Sequence, residues 1–287
     1  VNRLIAEVKL KLKKTPEFPL EAETITPDIF AGKSVAEIKK LIIYHGNEEK
    51  KIGDFFEVSG NGGEVNDTKI IIDGDLSNIK RIGEKMTDGE IVINGNVGMH
   101  VGNTMSGGKI LVNGNADDWA GAMLKGGELE ITGNAGNYVG AAYRGFWKGM
   151  QDGIIKVKGK IGNEALSWVN GSKPGKRFPT LICGGAASFL GVHSHGGTII
   201  VEGDCDRCIG ADQVRGTIVV KGIISRILPS YKKIGQAKEI ELMNGDIIKG
   251  KFTEYSGDHS VEKNHSKIDK KTGKISNSSN GRLFVAA

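Results

Sequence analysis

Gly89–Gly107 reads GEIVINGNVGMHVGNTMSG, Gly108–Gly126 reads GKILVNGNADDWAGAMLKG, and Gly127–Gly145 reads GELEITGNAGNYVGAAYRG. These contiguous units are each 19 residues long, and two glycines keep fixed places in them. One closes an Asn-Gly-Asn or similar turn (Gly95, Gly114, Gly133), and the other follows seven residues later (Gly102, Gly121, Gly140). Self-similarity at so short a period is the signature of a solenoid, in which each unit buries its apolar face on its neighbours.

Carried outward, the turn glycine recurs at Gly74, Gly95, Gly114, Gly133, Gly159, Gly184, Gly203 and Gly222, which makes eight copies. The second glycine follows as Gly83, Gly102, Gly121, Gly140, Gly191 and Gly210, and the copy at Gly159 has Leu166 in its place. Positions four and two before the turn glycine are nearly all Ile, Val or Leu, from Ile70 and Ile72 through Thr180 and Ile182 to Ile218 and Val220. A short, β-branched, period-two pattern means a strand. Strands with no helical segment between them cannot build βαβ units, so stacked parallel rungs remain. The expected fold is an all-β-dominated right-handed parallel β-helix of about eight rungs, ~35–40 Å long at the usual strand spacing, the hand being that of parallel crossovers in general.

Three segments follow: an α/β capping segment over 1–60, the glycine-rich repeat over 61–224, and a hairpin with an extended arm over 225–287. In the first, residues 4–12 alternate as a strand, Ser34 and Glu37 form a capping box opening a short helix, and Gly46-Asn47 splits two strands. In the last, Asn244-Gly245 marks a hairpin turn. The repeat glycines are structural, supplying positive φ at corners, and Asn94, Asn113, Asn96, Asn115 and Asn134 are placed to form stacked amide ladders. The outward position three before each turn glycine is Ile71, Val92, Leu111, Glu130, Lys156, Leu181, Ile200 and Val219. An apolar stripe of that extent is expected to be covered, at one end at least by a partner.

Glycine makes up 43 of 287 residues, an excess the repeat explains, and the net charge of +5 is modest. No basic aromatic motif points to nucleic acid, and no run of eighteen apolar residues or signal-like N-terminus points to a membrane or export. A cytoplasmic protein is expected, and the odd count of three cysteines agrees with a reducing compartment.

Two rungs are overlong, near Arg144–Gln151 and Ser167–Phe178. Being consecutive, they are expected to raise neighbouring loops carrying Arg144, Trp147, Lys148, Trp168, Lys173, Lys176 and Arg177, a basic aromatic set suited to contact with a partner or ligand. Cys205 and Cys208 have metal-pair spacing, with His193 and His195 one rung earlier, yet a zinc or iron–sulfur site takes four ligands, usually from two such pairs. They stand as weak metal candidates, and Cys183 has no context marking an activated thiol. No paired carboxylates, Ser-His-Asp order or phosphate loop is present, so no catalytic residue is assigned.

With the repeats laid out, the run from Gly89 to Gly145 resembles the Gly-X-X-Gly-X-X-X-Gly repeats of the glutamate synthase C-terminal β-helix domain. The whole chain, including FPLEAETITPDIFAG (residues 18–32) and Gly250-Lys251-Phe252, more closely resembles the C subunits of formylmethanofuran dehydrogenases. That resemblance implies a non-catalytic scaffold bridging a molybdopterin subunit, with tungsten or molybdenum, and an amidohydrolase-like subunit with a metal pair. Iron–sulfur subunits would supply the electrons. The complex reduces CO2 to formate and condenses it with methanofuran, whose carboxylates suit the basic loops; no cofactor is implied in this chain. A stand-alone glutamate-synthase-like protein, or an enzyme with a Cys/His site, is the alternative.

Overall fold

The computed structural model describes residues 5–171, 178–242, 244–258, 267–268, 275–276 and 280–287. The repeats form a run of parallel strands: β1 (Ala6–Leu12), then, after β2 (Phe56–Ser59), β3 (Thr68–Asp73), β4 (Glu90–Asn94), β5 (Lys109–Val112), β6 (Lys125–Ile131), β7 (Asp152–Ile161), β8 (Thr180–Ala186), β9 (His195–Val201) and β10 (Arg215–Val220). Each pairs in parallel with the next, β1 lying directly on β3. Ile70, Ile91, Ile110, Leu129 and Ile155 stand in register, one above another, and none exceeds 1% exposure. Burying each such side chain is worth ~1.5–3 kcal/mol, so the stripe read from the sequence is the core. A second parallel run of bridges carries Leu76, Val97, Ala116, Ala135 and Ile161 and continues through Ala186, Cys205 and Ile224.

The turn glycines are needed for close approach more than for positive φ. Among them only Gly74 and Gly95 have positive φ, but a Cβ on Gly114 would lie 2.4 Å from the carbonyl oxygen of Gly95 in the corner below. The asparagine ladders are present: Asn113 Nδ2 donates to Asn94 Oδ1 at 2.9 Å, and Asn115 Nδ2 to Asn96 Oδ1 at 3.1 Å. A further ladder, unread in the sequence, runs from Asp118 through Asn137 and Asn163 to the backbone N–H of Ser188.

One strand corrects the sequence reading. Before the corner in β8 the buried side chains are Leu181 and Cys183, paired with Ile155 and Val157, so Thr180 and Ile182 are not the inward pair. The pairing of β7 with β8 shifts by one residue between Val157 and Lys160. Gly184 still packs against Gly159 at the corner, but the strand reaches it one residue sooner, and side-chain parity reverses.

Each end of the ladder is closed by the chain itself. At the first end β2 pairs antiparallel with β1. Nearby lie α1 (Pro27–Phe30) and α2 (Val35–Ile38), the latter with the expected Ser34–Glu37 capping box, and the hairpin over Gly46-Asn47. The turn of helix α3 (Ile52–Phe55) was unread. At the other end, after the antiparallel hairpin β11 (Lys232–Glu241) and β12 (Ile247–Ser256), the last strand β13 (Asn280–Ala286) adds parallel to β10, and β12 pairs with it. The hairpin places Ile240, Leu242 and Phe252 against Ile200, Val219 and Phe284. This end of the outer apolar stripe is thus covered by the protein's own chain. Ile71, Val92 and Leu111 at the other end stay half-buried, beside the Lys69–Glu90 pair at 3.2 Å. The arm expected over 256–281 lies mostly outside the described residues.

Candidate contact site on the aromatic corner

The fifth residue after the turn glycine is His100, Trp119, Tyr138, Glu164, Phe189 and Cys208 in successive repeats, all with φ between +56° and +67°. The amides from His100 to Phe189 each bond the carbonyl one repeat along, for instance Trp119 to Asn137 and Tyr138 to Asn163. A left-handed residue here turns the chain so that its side chain leaves the stack. The side chains therefore form an outward column at one corner. Trp119 and Tyr138 stack at 4.3 Å with 13° between planes, and His100 lies parallel to Trp119 at 6.3 Å.

The first inserted loop folds beside this column. Tyr143 packs on Trp119 at 4.8 Å and donates its hydroxyl to Oδ1 of buried Asn103 at 2.9 Å. With its one proton so used, the Tyr143 oxygen accepts from Nδ1–H of His100 at 2.9 Å, which fixes that imidazole's tautomer. Burial, and then the charge of Arg81, hold the His100 pKa below its ordinary value, while burial raises that of Tyr143 to about 12. Both groups are accordingly neutral near pH 7. The loop continues through Arg144, Phe146, Trp147 and Lys148, all exposed, with Phe146 at 59% and Trp147 at 73%.

Trp168 belongs to the repeat and not to the insertion. It occupies the ninth place after Gly159 with φ +60° and stacks on His193 at 4.3 Å, the residue one repeat along. The insertion begins after it, and Lys173, Lys176 and Arg177 lie outside the described residues. Phe178, at the far side of that insertion, lines a different cleft, of about 670 Å³, with Lys109, Glu128 and Ile154. The two overlong rungs therefore do not build one common surface among the described residues. Instead Arg144, Phe146, Trp147, Trp168 and His193 join Trp119, Tyr138, Glu164 and Phe189 around a cleft of about 510 Å³. The column was missed in the sequence, although its signal was present: the fifth place after each turn glycine is large and outward in repeat after repeat.

The Cys/His candidates separate. Cys205 belongs to the inner column between Ala186 and Ile224, 3% exposed, with its thiol pKa pushed up to about 12 by burial. Cys208 stands on the outward column. His193 Nδ1 is engaged with Asp212 at 2.5 Å, and His195 lies parallel to Trp168 at 6.3 Å. Among the described residues no group of three or more His, Cys, Asp or Glu could hold a metal ion. Burial likewise raises the pKa of Cys183, away from an activated thiol.

Fold and corner together define a class: a strand-repeat body whose distinctive surface feature is an aromatic-lined cleft. No family model matches the chain. It is 49% identical over 259 residues to the C subunit of the tungsten-containing formylmethanofuran dehydrogenase 2 of Methanothermobacter thermautotrophicus, a match covering 90% of this chain and 93% of that protein. A shorter match to the protein of the same name from Methanothermobacter wolfeii is 58% identical over 98 residues, 34% of this chain and 36% of that one. The fold is that of a chain in the formyltransferase/hydrolase complex from Methylorubrum extorquens, solved in complex with methylofuran, with a TM-score of 0.78. At 24% identity that likeness covers 97% of this chain and 99% of the other. The chain belongs to the family of formylmethanofuran dehydrogenase C subunits. No helix among the described residues is long and apolar enough to cross a membrane.

Proposed function

We propose that this chain is a non-catalytic scaffold subunit of a cytoplasmic formylmethanofuran dehydrogenase complex, bridging a molybdopterin subunit and an amidohydrolase-like subunit. The molybdopterin with tungsten or molybdenum, the iron–sulfur clusters and the metal pair then belong to the partners, and methanofuran is the substrate of the whole complex. The repeat winds as a right-handed parallel β-helix over 61–224, flanked by the 1–60 cap and the 225–287 hairpin and arm. The observation that carries the scaffold reading is the loop of Phe146 and Trp147. It holds two strongly exposed aromatic rings above a cleft, on a stack whose ends are already closed by its own chain. Isolated exposed apolar residues are ordinary, but adjacent rings rimming an aromatic cleft mark a contact site.

The loop of Arg144, Trp147 and Lys148 is a contact for a partner subunit and not for the carrier. The cleft beneath it carries the carboxylate of Glu164 beside Arg144 of the loop, a mixed charge that suits a protein surface better than a polyanionic carrier. The test is anaerobic purification of the chain from its native host, with mass spectrometry of everything that accompanies it and metal analysis of each component. Co-purifying molybdopterin and amidohydrolase-like subunits that hold the metals are the expected result. Recovery of the chain alone, or with stoichiometric metal of its own, contradicts the proposal.

A further inference from the structure

We infer that the aromatic corner receives a planar cation, the guanidinium of an arginine on a partner subunit, seated between the rings of Tyr138 and Phe189 over the carboxylate of Glu164. The inference rests on the reading that this chain assembles with partners, and it names what one of them inserts.

Tyr138, Glu164 and Phe189 are consecutive in the outward column, tied by the amide of Tyr138 to the Asn163 carbonyl and that of Glu164 to the Ser188 carbonyl. Two strand spacings separate the rings' backbone positions, ~9.6 Å at ~4.8 Å per strand. A flat group between two rings needs two carbon–carbon contacts, ~7–8 Å in all. The place between them is held by a side chain without a ring, and the column is open there. The other face of Tyr138 is taken by Trp119 at 4.3 Å, so the slot wall is braced.

The chemistry of the slot selects a cation. Ring faces carry the negative lobe of the quadrupole, and the group between them is a carboxylate. Among the described residues Glu164 makes no side-chain hydrogen bond and no ion pair, although it is half-buried. Two basic residues line the cleft, and neither answers it: His193 is engaged with Asp212, and Arg144 stands exposed on the loop above. Guanidinium fits better than ammonium, being flat enough to lie between rings while offering a carboxylate two parallel N–H donors. The backbone agrees. At +62°, +56° and +63°, Tyr138, Glu164 and Phe189 occupy a region that glycine enters without strain, yet each keeps a large side chain.

The test titrates the full-length chain with N-acetyl-arginine amide and with its neutral isostere N-acetyl-citrulline amide, following tryptophan fluorescence. The arginine compound is expected to bind saturably and ~10-fold more tightly than citrulline, as charge-assisted bonds outweigh neutral ones. Glu164→Gln should bring the two within ~2-fold without changing the thermal midpoint, and Phe189→Leu should weaken the arginine compound severalfold while keeping the carboxylate. Equal binding of the two compounds, or discrimination that survives Glu164→Gln, overturns the inference. In the assembled complex, a benzophenone side chain at position 189 should crosslink to an arginine-containing peptide of a partner. A crosslink to this same chain alone overturns the inference and leaves the scaffold reading standing, whereas purification without partners removes that reading first.

Discussion

Two columns of residues at the same corner share one backbone conformation and differ in everything else. Gly102 and Gly121, at φ +66° and +63°, point into the stack; Trp119 and Tyr138, at +66° and +62°, point out of it. Inside, a Cβ on Gly121 would lie 2.7 Å from Cδ1 of Ile155, so any larger residue there must displace that side chain as well as hold a positive φ. Where the core leaves room the rule relaxes: Leu166 takes the same place at φ +53°, wholly buried. Outside, glycine would be the unstrained choice, yet four of the six places carry the rings His100, Trp119, Tyr138 and Phe189. The glycine column is therefore explained by folding, and the ring column calls for a function.

The largest effect expected from this contrast is at Gly121→Val. A β-branched side chain forced into both positive φ and the Ile155 contact should cost ~3 kcal/mol or more, read by urea unfolding of the full chain. A loss under ~1 kcal/mol would mean that the stack can open to admit it, and the contrast would fail. Phe189→Gly sits in the other column, at 40% exposure and φ +63°. Relief of backbone strain offsets the lost ring contacts and the looser unfolded chain, so stability should change by no more than ~1 kcal/mol while recovery of the complex falls. A large destabilisation with unchanged assembly would turn the ring column into a folding element.

The smallest effect concerns pH. Burial holds the folded pKa of His100 below its ordinary value, so the unfolded chain binds that proton more readily. The stability tied to the neutral ring is present above the usual histidine pKa, ~6.5, and is lost as pH falls from there through the folded value. His100→Asn should flatten the fall in thermal midpoint between pH 7 and pH 5; an unaltered slope would show that burial of the neutral His100 ring does not set the acid sensitivity of the fold.

Much of the architecture was legible because glycine spacing and β-branched alternation are local signals. The register of Ile91, Ile110 and Leu129, the Asn94–Asn113 ladder and the Ser34 capping box all follow from residues a few places apart. The parity of β8 was not legible, because a one-residue shift at the corner leaves Gly184 in place while exchanging Thr180 and Ile182 for Leu181 and Cys183. The covering of Ile200 and Val219 by Phe252 and Ile240 depends on where a distant hairpin lands, which no local pattern encodes. At the candidate site, composition drew attention to Arg144 and Trp147, which line the cleft. Tyr138, Glu164 and Phe189 were not legible, since their meeting depends on stacking residues 25 or 26 places apart. A lone Cys-x-x-Cys pair is a weak metal signal, and the structure buries Cys205 in the core while Cys208 stands on the outward column.

The measurement that bears most directly on the claim that the aromatic corner is a partner contact is hydroxyl-radical footprinting of Trp147 and Phe189, in the isolated chain and in the complex purified from its host. The account predicts ready oxidation of both rings in the free chain and strong protection of both in the complex. Equal oxidation in the two states would contradict it.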